Sequence, residues 1–99
     1  MRLLWSAEAQ HDRDSIYDYI EARNPRAAAE LDARFAELAA RLGRHPGMGR
    51  PGRVPGTREF VAHPRYVMIY EWAEDAVLIL ALVHTSRPWP PDEAPDTPT

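Results

Sequence analysis

Cationic and imidazole side chains are the groups in this sequence that could act on a phosphodiester or bind an anion. Three arginines, Arg58, Arg65 and Arg87, could neutralise phosphate charge, and His63 or His84 could transfer a proton near neutral pH. Cleavage of RNA without a metal needs a group that activates the 2′-hydroxyl, a cation for the phosphorane charge and an acid for the leaving oxygen. Arg58, His84 and Arg87 form one candidate set for those catalytic roles.

The same side chains also have structural interpretations. Arg58 and Glu59 are neighbours on a predicted strand and point to opposite faces, so Arg58 could equally hold the preceding glycine-rich loop or pair with a carboxylate. Trp89 stands between two prolines after the last predicted strand. It could cap the core, or it could form an exposed contact pair with Arg87. Both interpretations remain open for each residue.

Two alternating sets of side chains on the predicted strands favour packing over chemistry. A regular last strand would place His84 on one face with three leucines, which favours a hydrogen-bonded core histidine over a proton shuttle. An apolar stripe on the preceding strand is typical of packing against helices. The sets are Leu78, Leu80, Leu82 and His84 on the last strand, and Tyr66, Met68 and Tyr70 on the one before.

The sequence predicts neither a metal site nor a phosphate-binding loop. Its four histidines lack a paired ligand spacing such as HxxxH or HxH, and it contains no cysteine. The glycines between residues 43 and 56 do not follow the GxxxxGK[ST] or GxGxxG patterns. We therefore expect no cofactor.

Length and charge restrict the possible functions. Ninety-nine residues provide one modest core, so any site must lie on the surface. The absence of cysteine, of a signal peptide and of a long apolar run leads us to expect a soluble cytoplasmic protein without membrane partners. The net charge is −2 over residues 1–42, +2 over 43–90 and −3 over 91–99. Only the middle segment suits a polyanion, and only slightly.

The N-terminal half predicts a strand followed by a helical hairpin. Residues 3–5 form a short apolar run, and the hydroxyl of Ser6 can cap a helix over residues 7–22. The Asn-Pro step at 24–25 ends this helix and begins a second one, because proline suits the first helical turn. The second helix has an apolar stripe that steps by four, three and four residues. We expect Gly43 to end it in a left-handed conformation.

The C-terminal half predicts a loop and an antiparallel meander. Residues 43–56 contain five Gly and three Pro, so no regular element should persist through them. Three runs that favour strands follow, at Thr57–His63, Tyr66–Trp72 and Ala76–His84. The last run is apolar on both faces, which predicts a position inside the sheet.

These elements together predict a single α+β domain over residues 1–90, with an N-terminal strand, a helical hairpin and then a three-stranded antiparallel meander. The helices are expected on one face of a four-stranded sheet, with the other face left to solvent or a partner. Residues 91–99 are rich in proline and acid, so we expect disorder beyond Pro91.

Four local features occur in a characteristic order and spacing. They are Trp5-Ser6 before a helix that ends Asp18-Tyr19-Ile20, the segment 24–28 that opens the second helix, the segment 49–59 before the second strand, and the segment 83–90 after the last strand. With these features, residues 4–90 resemble the RelE/ParE toxins of bacterial type II toxin–antitoxin systems.

The resemblance implies two kinds of partner. One is an antitoxin encoded beside the toxin, expected to be a small ribbon-helix-helix DNA-binding protein that wraps the toxin in a hetero-oligomer. The other is the target, which is DNA gyrase for ParE-like members and messenger RNA in the ribosome for RelE-like members. An acidic helical face and an open sheet face would offer separate surfaces to the two partners.

Two valines lead us to expect the ParE-like action, in which the toxin binds gyrase and is not an enzyme. RelE-like members that cleave RNA carry cations on the second strand and just after the tyrosine of the third, where this sequence has Val61 and Val67. The alternatives are a ribosome-dependent mRNA endonuclease and a remnant that only binds its antitoxin. The catalytic residues of an endonuclease would be Arg58, His84 and Arg87, and the target-binding residues of a ParE-like toxin would be Arg58, Arg65, His84, Arg87 and Trp89.

Overall fold

A five-stranded sheet with two helices against it forms the fold, in a computed structural model that describes residues 1–91. In chain order the elements are β1 (Arg2–Trp5), α1 (Ala7–Glu21), α2 (Pro25–Arg44), a short 3-10 helix (Pro46–Met48), β2 (Arg50–Pro51), β3 (Thr57–His63), β4 (Tyr66–Trp72) and β5 (Ala76–His84). The predicted α+β fold is confirmed. The disorder predicted for the tail falls on residues 92–99, outside the described residues. Neither helix of the described part is long and apolar enough to cross a membrane.

The strand order β1-β5-β4-β3-β2 places β5 inside the sheet, as the sequence predicts. β5 pairs in parallel with β1 and antiparallel with β4. The prediction of four strands missed β2, a two-residue edge strand in the glycine- and proline-rich loop that pairs with β3. Pro51 is tolerated there because an edge strand needs hydrogen bonds on one side only.

The core lies between α2 and the helix-facing side of the sheet. Phe35 of α2 is 1% exposed, and its ring meets the ring of Tyr66 edge-on with centroids 5.8 Å apart. Met68 and Tyr70 continue the Tyr66 stripe along β4 and are fully buried, which confirms the predicted packing role of that stripe. The α2 stripe is buried as predicted and consists of Leu31, Phe35, Leu38 and Leu42.

Both helices begin where the sequence predicts, but α2 does not end where the sequence predicts. Ser6 Oγ accepts a hydrogen bond from the Ala9 amide at 3.0 Å, so the predicted cap of α1 is confirmed. The prediction that Gly43 ends α2 in a left-handed conformation is wrong, because α2 continues to Arg44. A Cβ on Gly43 would lie 3.5 Å from Leu3 Cβ, an ordinary van der Waals distance, so a small side chain would also fit between α2 and β1.

A β-bulge changes which side chains of β5 face the helices. Pairing with β4 shifts by one residue between Ile69 and Tyr70, which leaves Leu80 as the extra residue of β5. Val77 and Ile79 therefore join Leu82 in the core, whereas the sequence had predicted a shared face for His84 and the even-numbered leucines. That prediction is wrong for Leu78, since strand alternation now places it on the face opposite Ile79 and Leu82.

α1 covers the edge of the second half of β5 that β1 leaves unpaired. β1 ends at Trp5, opposite Ile79, and within residues 1–91 no strand continues along that edge. Ser6 Oγ donates to the Leu80 carbonyl at 3.2 Å, and the Asp12 carboxylate accepts from the Leu82 amide at 3.1 Å. These bonds satisfy backbone groups that a longer β1 would have paired.

Tyr70 holds the glycine-rich loop against the sheet. Its hydroxyl donates to the Pro46 carbonyl at 2.6 Å and accepts from the Gly49 amide at 2.9 Å. Burial raises the pKa of the Tyr70 phenol, against the opposing effects of the Gly49 amide and Arg58, so the hydroxyl keeps its proton as a donor. A Cβ on Gly49 would lie 2.6 Å from the Tyr70 oxygen, so a larger residue would displace the loop.

Removing the Tyr70 hydroxyl should loosen this loop. We expect Tyr70→Phe to lower the free energy of unfolding by about 1–3 kcal/mol, because the buried Gly49 amide loses its acceptor. Urea denaturation measures the loss, and hydrogen exchange of the Gly49 amide should accelerate in the same variant. Tyr19→Phe, at a side chain 60% exposed, is the matched control and should change neither quantity. Unchanged protection of Gly49 in Tyr70→Phe would contradict the role of the hydroxyl.

Stability should depend on pH through Asp12. Burial raises its pKa above 3.8, and Glu8 adds to this effect while the Leu82 amide and His11 oppose it. The folded state then holds the proton more tightly than the unfolded chain, so ionisation of Asp12 lowers stability as the pH rises above 3.8. In Asp12→Asn the side-chain oxygen can still accept from Leu82, and this loss is absent.

We therefore expect the Asp12→Asn variant to gain free energy of unfolding relative to the wild type as the pH rises from 3.8 towards neutrality. Thermal or urea unfolding at several pH values measures the difference. Asp14→Asn, on the exposed side of the same helix, is the matched control. A stability difference between Asp12→Asn and the wild type that stays constant over this pH range would contradict the raised pKa of Asp12.

Candidate functional site

A groove lies between α1 and the end of the sheet at which β5 finishes, and we call it the α1–β5 groove. Its volume is about 510 Å³. One wall is formed by Asp12, Ser15, Ile16 and Tyr19 of α1, and the other by Arg65, Tyr66, Leu82, His84, Ser86 and Arg87. Three of the five residues that the sequence predicted to bind a target therefore share one concavity.

Backbone hydrogen bonds bring the two cations of the groove together. Tyr66 and His84 are register partners on β4 and β5, which places the turn before β4 beside the chain leaving β5. The Thr85 amide donates to the Arg65 carbonyl at 2.8 Å, and the Arg87 amide donates to the His84 carbonyl at 2.9 Å. The start of β4 and the end of β5 therefore place Arg65 and Arg87 in the same groove, although 22 positions separate them in sequence.

His84 is a half-buried residue at the groove wall and not part of the closed core that the sequence favoured. Its ring meets Tyr66 edge-on with centroids 5.6 Å apart. Its Nδ1 accepts from the Ser86 amide at 3.1 Å and lies 2.7 Å from Ser86 Oγ. These bonds fit the tautomer in which Nε2 carries the proton, so the ring holds the turn after β5 and leaves Nε2 as the donor.

His63, the second histidine considered for proton transfer, does not line the α1–β5 groove. Its Nδ1 accepts from the Arg65 amide at 3.1 Å in the turn between β3 and β4. Burial lowers its pKa below 6.5, and the charges of Arg34 and Arg65 act in the same direction. It therefore helps to fix the backbone that carries Arg65.

Arg58 lies away from the groove. Its guanidinium donates to the Gly49 carbonyl at 2.7 Å and stacks on the Trp72 ring at 5.4 Å from the centroid. Arg58 pairs with Tyr70 on β4, whereas His84 pairs with Tyr66, four residues away and about 13 Å along the strand. The structure thus does not bring Arg58 together with His84 and Arg87. The contacts of Arg58 agree with the interpretation that it holds the glycine-rich loop.

Trp89 is half-buried on the sheet face opposite the helices. It lines a second, smaller concavity with Val67, Ile69 and Val83, which alternate along their strands with core residues. Arg87 lines this concavity as well as the α1–β5 groove. Trp89 therefore covers part of the outer face, and Arg87 stands at the boundary between the two surfaces.

The groove residues on α1 are not among the site residues that the sequence predicts. Tyr19 and Ile16 present an apolar wall opposite the cations, and Tyr19 is 60% exposed. The one signal in the sequence was the Asp18-Tyr19-Ile20 segment, which carried the family resemblance but was not interpreted as a contact surface.

The chemistry available at this end of the sheet is cationic and apolar. Arg65 and Arg87 can hold an anion or an acidic side chain, and His84 Nε2 can donate a hydrogen bond. Across residues 1–91, no group of three His, Cys, Asp or Glu side chains could hold a metal ion. The arrangement suits recognition of a partner through charge and apolar contact.

Comparison with known proteins gives consistent matches over nearly the whole chain. The family model described as the ParE toxin of type II toxin–antitoxin system, parDE, matches residues 3–89. The putative toxin Y4kP of Sinorhizobium fredii is 39% identical over 90 residues, covering 90% of this chain and 93% of that protein. Toxin RelE2 of Caulobacter vibrioides is 33% identical over 86 residues, covering 87% and 97%.

Solved structures share the same fold. The chromosomal ParDE TA system from P. aeruginosa contains a chain that is similar with a TM-score of 0.76 and 26% identity, over 85% of this chain and 95% of that one. The YoeB/ParE toxin from Agrobacterium tumefaciens has a TM-score of 0.61 at 14% identity, over 85% and 98%, and shows the fold alone. On the family match and the two sequence relatives, this chain belongs to the ParE toxin family of type II toxin–antitoxin systems.

Proposed function

We propose that this chain inhibits bacterial growth by binding DNA gyrase and that a cognate antitoxin neutralises it. The observation that carries the choice of gyrase is the pair formed by Val61 and Val67, which face each other on β3 and β4. Val61 is 52% exposed on the outer sheet face. An apolar pair cannot stabilise the charge of a phosphorane, whereas exposed apolar surface favours contact with a protein.

The position of Arg58 supports the same choice. An RNA-cleaving site of the RelE kind needs cations beside its general acid, and Arg58 is the cation that β3 could have contributed. Its guanidinium is instead held between the Gly49 carbonyl and the Trp72 ring. Moving it towards His84 would break both contacts and remove one of the hydrogen bonds that hold the glycine-rich loop.

The proposed gyrase contact centres on Arg87 and Trp89. Arg87 is exposed and borders both concavities, and Trp89 is half-buried in the same concavity as Val67 and Val83. Arginine and tryptophan are enriched among the residues that contribute most to protein interfaces, because each combines a large contact area with a polar group. Arg65, across the groove from α1, extends the same surface.

For the antitoxin we propose the helical side of the molecule. A shallow concavity between α1 and α2 is lined by Gln10, Arg13, Asp14, Tyr17, Asp18 and Asp32, so it is predominantly acidic. Within it Arg13 is already paired with Asp32 at 2.7 Å. This surface fits a basic amphipathic segment of a ribbon-helix-helix antitoxin in a hetero-oligomer. An adjacent reading frame for such a protein would support the pairing.

A ribosome-dependent mRNA endonuclease is the second candidate. It is favoured by the presence of Arg65, His84 and Arg87 in one groove, which is thus lined by two cations and one imidazole. This set differs from the one predicted from the sequence, since Arg65 takes the place of Arg58.

Truncation of the proposed contact pair should weaken inhibition of gyrase. We expect Arg87→Ala and Trp89→Ala each to raise the concentration needed to inhibit DNA supercoiling by about tenfold, the usual cost of removing an interface anchor. Arg26→Ala is the matched control, because this arginine is 88% exposed on α2 and lines neither concavity. Full potency in both variants would show that Arg87 and Trp89 do not form the gyrase contact.

Induced expression separates the two candidate actions. If the chain binds gyrase, supercoiling of plasmid DNA should fall after induction while transcripts remain uncut. Mapping of transcript ends and plasmid topology in the same culture measures both. Codon-phased cuts in messenger RNA with supercoiling unchanged would overturn the gyrase proposal in favour of the endonuclease.

A further inference from the structure

The two cations of the α1–β5 groove have no acidic partner within the described residues. Arg65 and Arg87 are exposed and take part in none of the three ion pairs there, which join Arg13 to Asp32, Arg26 to Glu30 and Arg50 to Glu59. Asp12, on the opposite wall, accepts the Leu82 amide. The groove therefore presents uncompensated positive charge on its strand side.

The chain itself continues from the rim of this groove. Pro91, the last described residue, lines a concavity with Asp12, Leu82, His84 and Arg87. Residues 92–99 thus begin beside Arg87. Eight residues span at most about 26–29 Å when extended, which is enough to reach along the groove to Arg65.

The segment that begins there has the complementary charge. Its sequence, Asp-Glu-Ala-Pro-Asp-Thr-Pro-Thr, contains Asp92, Glu93 and Asp96 and no cationic residue. A short tether raises the effective concentration of these carboxylates at the groove to the millimolar range. Contacts that would be weak between separate molecules are therefore populated within one chain, and they require no regular structure in the segment.

We propose that residues 92–99 bind back to the α1–β5 groove, with their carboxylates against Arg65 and Arg87. The segment is an intramolecular competitor for the cationic groove, and a ligand that uses Arg87 must displace it. The carboxylates lie on the strand side, since Asp12 occupies the α1 wall. The contact between residues 92–99 and the groove does not depend on the proposed function, whereas its effect on gyrase binding rests on that function.

A spin label at the end of the full chain tests the contact. The sequence contains no cysteine, so Thr99→Cys provides a single labelling site. We expect a nitroxide there to broaden the amide resonances of Arg65, Ser86 and Tyr19. Broadening should fall strongly when the ionic strength is raised from 0.15 to 1 M, because the Debye length decreases from about 8 to about 3 Å.

Charge variants of the labelled chain decide the outcome. Broadening in the groove should be lost in the triple variant Asp92→Asn, Glu93→Gln, Asp96→Asn and retained in the control Arg26→Ala. Equal broadening in the neutralised tail, or broadening confined to residues 88–91, would overturn the proposal. A chain that shows the contact but does not inhibit gyrase would instead refute the proposed function. If both hold, the neutralised tail should make the toxin about threefold more potent against gyrase.

Discussion

Parallel pairing of β1 with β5 joins the first and last elements of the fold, and the positions of the candidate site residues depend on it. β1 has four residues and β5 has nine, so β1 ends at Trp5, opposite Ile79, while β5 continues to His84. The unpaired half of β5 needs other hydrogen-bond partners, and α1 supplies Ser6 and Asp12. α1 is thereby held beside the end of β5, which creates the groove between them.

The arginines of this chain divide into those that hold the fold and those that remain on its surface. Arg13 forms a bidentate pair with Asp32 and stacks on Trp5, and Arg34 donates to the Ala62 carbonyl at 2.7 Å. Arg58 holds the glycine-rich loop through Gly49. Moving any of these guanidinium groups would leave a buried or half-buried acceptor unpaired, which costs far more than breaking an exposed pair. Arg65 and Arg87 carry no such constraint, so they are the cations that the α1–β5 groove offers to a partner.

The two faces of the sheet give the molecule two kinds of surface. The two helices cover one face, and the other carries the exposed Val61, its partner Val67 and the half-buried Trp89. His84 and Arg87 border both the outer-face concavity and the α1–β5 groove, so a ligand in the groove and a partner on the outer face would share these two residues. These shared positions would let a segment in the groove influence binding on the sheet without any change in the fold.

The sequence by itself determined most of the secondary structure, the fold class and the resemblance to the family. The three long strands have the predicted bounds and Ser6 caps α1, because hydrophobic periodicity, helix caps and proline act within a few residues. Only the tertiary structure decided which candidate residues meet. The bulge at Leu80 removed Leu78 from the face of His84, and Arg58 stacked on Trp72. Each of these outcomes depends on a neighbour distant in sequence, and strand alternation or helix period carries no information about that neighbour.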